Sequence, residues 1–178
     1  DIALDVKYDG ISIFNPKDTE NWQKKLNILR NKQAANPKNS KELLNMVHLL
    51  IALGQGNEAL GFLDQLEQRP GFSDNLLFKQ LKGIALLLSN RFHDAQDILE
   101  DFDQYTETNW WQGIAILMQL SPNPIVPDFA NNVFTESKKW LLEYPNELRQ
   151  QLIRLLFEAS LRLEYEPLAK QILPLSTD

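Results

Sequence analysis

The chain has 178 residues, 43% of them hydrophobic and 24% charged, with a formal net charge of −6. At about 150 residues per domain this is one domain, able to bury about two thirds of the surface of its unfolded chain, and the composition excludes disorder for the bulk of it. The acidic balance argues against nucleic acid and against an anionic membrane surface as partners, since both select Lys and Arg.

There is no cysteine, which removes disulfides, thiolate catalysis and zinc–thiolate sites. Every apolar run falls short of the ~20 residues that span a bilayer. The chain begins at Asp1 rather than methionine, as a processed form or a piece of something longer would.

Residues 1–17 stand apart. Ile2, Leu4, Val6 and Tyr8 alternate with Ala3, Asp5 and Lys7, and the alternation resumes at Ile11 and Ile13 after Asp9-Gly10. Alternation on both sides of Asp-Gly predicts a β-hairpin, because both central turn positions need positive φ. A lone hairpin is marginal in water, so this arm must pack on its own domain or pair elsewhere.

From Asp18 the period becomes helical, and 18–178 reads as one helical domain. Trp22, Leu26 and Leu29 stand at i, i+4 and i+7, and Asn36-Pro37 ends that helix. Lys24, Lys25, Arg30 and Lys32 on its other side read as a solvated face. A helix from Ser40 carries Leu43, Met46, Val47 and Leu50 to Gly54-Gln55-Gly56; its partner, Asn57 to Gln68, turns Ala59, Phe62, Leu63 and Leu66 inward. The second pair is Ser73–Ser89 and Arg91–Gln104. The third starts near Thr106 with Trp110 and Trp111, crosses a stiff Pro122 to Pro127 connection, and continues from Asp128 to Tyr144 with Phe129, Val133, Trp140 and Leu141 on one stripe. Asn146 is placed as the cap of a fourth pair, Glu147–Leu163 followed by a short helix with Pro167 in its first turn.

These pairs recur. From Ala59 to Ala95 is 36 residues and from Ala95 to Ala169 is 74, two steps of 37. A period in the mid-thirties built from paired helices predicts a solenoid, which presents a surface rather than a catalytic pocket. The residues resemble the tetratricopeptide repeat. Counting from Ser40, Leu43, Met46, Val47, Leu50, Gly54, Ala59 and Leu63 fall on family positions 4, 7, 8, 11, 15, 20 and 24, and from Leu76 the matches are Gly83, Leu86, Phe92, Ala95 and Leu99. Val47 and Phe157 stand where a small residue is usual, Lys79 where a large apolar one is, and the third unit has an inserted loop. The resemblance implies an all-α superhelix of about four helix pairs behind a short β arm.

Nothing in the sequence assembles into catalytic chemistry, a metal site or a cofactor site. His48 and His93 lack companions for acid–base or metal work, and Glu100, Asp101 and Asp103 lack the turn glycine and alternating oxygens of a calcium loop. No glycine-rich phosphate cradle, nucleophile elbow or His-Glu-x-x-His occurs. Trp110 and Trp111 are about 100° apart on a helix, so one is expected between helices and the other toward the groove or solvent, with joint helix packing as the alternative.

What the resemblance implies is a concave wall at positions 5, 9 and 12 of each first helix. These are Leu44, His48 and Ile51; Gln80, Ile84 and Leu87; Trp110, Ile114 and Leu117; and a polar end of Arg154, Glu158 and Leu161. Such an apolar trough fits a partner's amphipathic helix or extended peptide. Leu44 and His48 replace the Lys and Asn with which relatives grip a terminal carboxylate, so that clamp is not expected. The trough could instead be filled by the arm or by the Pro122–Pro127 loop. The expected function is a protein–protein interaction scaffold. A structural subunit of a larger assembly is the first alternative, and an RNA-binding helical repeat, disfavoured by the acidic charge, is the second. The missing initiator methionine and analogy with envelope-assembly factors lean toward an extracytoplasmic bacterial location.

Overall fold

The computed structural model describes residues 21–102, 106–121 and 127–176. The expected hairpin over 1–17 and the Pro122–Val126 connection lie outside the described residues. The described elements are helical: α1 (Trp22–Ala35), α2 (Ser40–Ala52), α3 (Gly56–Glu67), α4 (Leu76–Leu88), α5 (Phe92–Leu99), α6 (Thr106–Leu117), α7 (Pro127–Glu143), α8 (Asn146–Arg162) and α9 (Glu166–Ile172), with 3-10 turns at Glu100–Phe102 and Leu173–Ser176. Each helix packs on its neighbour in the chain, so four pairs follow one another behind an unpaired α1.

The repeat is written in the backbone of its turns. Gly54, Asn90 and Glu164 all have positive φ, at 74°, 60° and 53°. In each turn the next residue's N–H reaches back five residues: Gln55 to Leu50 at 2.8 Å, Arg91 to Leu86 at 2.9 Å and Tyr165 to Ser160 at 3.0 Å. The positive-φ residue itself bonds three back, to Ile51, Leu87 and Leu161. This is the Schellman closure, which satisfies carbonyls left open at a helix end. Two residues later the second helix of the pair begins, and Ala59, Ala95 and Ala169 each stand fourth in it. Starts repeat as well: the side chain of Asn39 accepts from the Glu42 N–H at 3.2 Å, and that of Asn75 from the Phe78 N–H at 2.9 Å. Each such cap stabilises its helix by about 1 kcal/mol.

Small residues let the helices of a pair approach. A Cβ on Gly83 would lie 2.5 Å from Leu99 Cδ2, so α4 and α5 meet there with no spare room, and a Cβ on Gly113 would lie 2.9 Å from Val133 of α7. Trp111, Phe78, Phe134 and Leu81 are fully buried. At close-packed density side chains of this size leave little room for a change of volume. Two local expectations are corrected. Asn146 is the first residue of α8 rather than its cap, which is Pro145. Phe129, placed on one stripe of α7 with the buried Val133, Trp140 and Leu141, is itself 39% exposed, in that helix's first turn.

Candidate functional site

The first helices of the pairs lean on one another. α2 packs on α4, α4 on α6, and α8 comes back against α2. Gln151 of α8 donates to the Gly54 carbonyl at 2.6 Å, and the Arg162 guanidinium donates to the Met118 and Leu117 carbonyls at 2.6 and 2.7 Å. The last pair is thereby tied both to the turn of the first and to the end of α6.

Across the first three units the side chains expected along the trough are, with one exception, buried. Leu44, Ile51, Gln80, Ile84, Leu87, Trp110, Ile114 and Leu117 are all buried, none more than 3% exposed. Gln80 is held by Thr108 of α6, to whose hydroxyl its amide donates at 3.1 Å. Trp110 turns onto its own partner helix, its indole N–H donating to Ser137 Oγ at 2.9 Å and lying 3.2 Å from the Val133 carbonyl. His48 is half-buried, its ring edge-on to Trp22 at 6.4 Å. Only the last unit leaves its face open, with Arg154 and Glu158 paired at 3.7 Å and Leu161 62% exposed. The wall that the repeat pattern picks out is therefore core for three units and surface for one.

Trp110 and Trp111 both pack inside, so joint helix packing is what occurs. Trp111 stacks on Tyr144 at 5.7 Å and donates to its hydroxyl at 2.9 Å; that hydroxyl donates to Glu107 Oε1 at 2.5 Å. A fully buried carboxylate thus joins α6 to the end of α7. Residue-by-residue reading missed Glu107. The signal was its place one turn before Trp111, on the same helix face, where a charge is costly without a donor.

Among the described residues, two clefts stand out. The larger, about 640 Å³, lies between the N-terminal ends of α1 and α8 and is lined by Trp22, Lys24, Leu53, Tyr144, Pro145 and Arg149 among others. The smaller, about 330 Å³, lies between α6 and α7 beside Asn109, Trp110, Phe129 and Glu136. Among the described residues no group of three or more His, Asp or Glu side chains could hold a metal ion, and no helix is long and apolar enough to cross a membrane. His93 lies exposed, 3.8 Å from Asp97. Glu166, fully exposed on α9, is held below the usual carboxylate range by its hydrogen bond to Lys170 and by that ammonium's charge. No protein-family model, curated protein or solved structure matches the chain.

Proposed function

We propose that this chain is a non-catalytic protein–protein interaction scaffold of the tetratricopeptide-like kind, which receives a segment of another protein on its surface. The observation that supports the reading is the recurrence of one Schellman-closed hairpin along the chain, at Gly54, Asn90 and Glu164. Tandem hairpins of this kind devote their side chains to packing and their outer surface to contact. With the inner wall buried in three units, the reception site falls on the clefts and open helix faces rather than on Leu44, Ile84 or Ile114.

A second reading, a structural subunit of a larger assembly, is favoured by Leu142, Leu161 and Leu173, exposed by 57%, 62% and 51% in the last two pairs. Side chains of this kind suit burial in a permanent interface. Selecting a random peptide library against the immobilised chain tests the two. Enrichment of one peptide class that raises the melting temperature supports the scaffold, as a ligand of the native state must. No enrichment, with concentration-dependent self-association in sedimentation, overturns it in favour of the subunit.

A further inference from the structure

We infer that the outer face of α1, together with the cleft it shares with α8, is a docking surface for an acidic peptide segment carrying an apolar side chain; this rests on the scaffold reading and names the partner's chemistry. Charge is the first argument. In a chain of net charge −6, α1 carries Lys24, Lys25, Arg30 and Lys32 and no carboxylate at all. Lys24 and Lys32 are exposed, and Arg30 pairs with Glu58 at 2.8 Å.

Placement is the second argument. Lys24, Ile28 and Lys32 stand at i, i+4 and i+8 and so form one ridge along the helix. Ile28, between the two ammonium groups, is 46% exposed. An apolar side chain flanked by cations on an otherwise acidic protein is complementary to a segment with the opposite pattern, carboxylates around an apolar residue. The ridge leads into the cleft, since Lys24 also lines it. There the walls change character: Trp22, Leu53, Tyr144 and Pro145 line the cleft with apolar and aromatic atoms, beside Glu147 and Arg149. At about 640 Å³ the cleft has room for an apolar anchor of the docked segment, within the usual range of ligand sites. The first turn of α1 has no acidic residue and its cap position makes no side-chain bond, so the helix's positive end is not offset from within.

The test is fluorescence anisotropy of the full chain with a short labelled peptide of alternating Glu and Leu, beside a Lys/Leu peptide and a single-stranded oligonucleotide. The acidic peptide should bind, more weakly as salt rises, and the double variant Lys24→Glu with Lys32→Glu should weaken it about tenfold or more. Lys138→Glu, an exposed charge reversal on α7, should leave binding unchanged, and circular dichroism should be the same for all three proteins. Equal binding by the double variant overturns the site. Retention of the oligonucleotide without the peptide overturns the partner chemistry. If library selection enriches peptides that lack acidic residues, this inference falls while the scaffold reading stands; if it enriches none, both fall.

Discussion

Replacing glycine with alanine has opposite consequences at two positions of this fold. In a helix interior alanine is favoured over glycine by about 1 kcal/mol. Gly61, within α3, has no atom within 4 Å of where its Cβ would stand. Gly61→Ala should therefore keep that whole gain and raise the melting temperature by about 2–4 °C. Gly83 has the same helical gain but meets Leu99, whose Cδ2 and Cγ would lie 2.5 and 2.6 Å from the new methyl. Carbon atoms rest at about 3.5–4.0 Å, and Leu99 is fully buried with nowhere to retreat. Overpacking of this kind costs about 1–3 kcal/mol, so Gly83→Ala should be destabilising by up to about 2 kcal/mol. Urea denaturation followed by circular dichroism measures both variants at an unchanged slope. Leu99→Ala alone should lose about 2–5 kcal/mol, but combined with Gly83→Ala it should lose less than the sum by about 1 kcal/mol, since the two changes share one space. A Gly83→Ala protein as stable as Gly61→Ala, or strict additivity with Leu99→Ala, would refute the α4–α5 crossing.

Ile84→Glu places a carboxylate where the native side chain is 1% exposed, and such burial costs several kcal/mol; loss of the cooperative melt is expected, and a stably folded variant would return Ile84 to the surface. Tyr144→Phe removes the hydroxyl that accepts from Trp111 and donates to Glu107. It should cost about 1–3 kcal/mol in urea denaturation, and a neutral outcome would deny that network a structural role. Glu164 adopts φ 53°, a conformation that costs a non-glycine residue about 1–2 kcal/mol. Part of that relief is offset by the greater freedom of an unfolded glycine, so Glu164→Gly should stabilise by about 1 kcal/mol; destabilisation would show that the Glu164 side chain itself holds the turn.

Helix positions were legible because they depend on near neighbours. Asn-Pro, Gly-Gln-Gly and Arg-Pro-Gly stop helices through local backbone chemistry, and apolar spacing at i, i+3 and i+4 reports the buried stripe of each. The third Schellman turn was harder to see, because Glu164 occupies a conformation that its side chain does not favour and only the bonds from Glu164 and Tyr165 to Leu161 and Ser160 reveal it. Exposure of the presumed inner wall was not legible. Leu44, Ile84 and Ile114 look the same in sequence whether they line an open groove or a closed core, since both demand apolar side chains at one helical phase.

By itself, then, the order of residues determined a helical domain from Asp18 onward, built of about four helix pairs in tandem behind an arm of different period, because caps, breakers and helical period act over a few residues. Only the tertiary structure decided where those hairpins turn their common face. The return of α8 onto α2, held by Gln151 and the Gly54 carbonyl 97 residues apart, is a long-range pairing that no local spacing encodes.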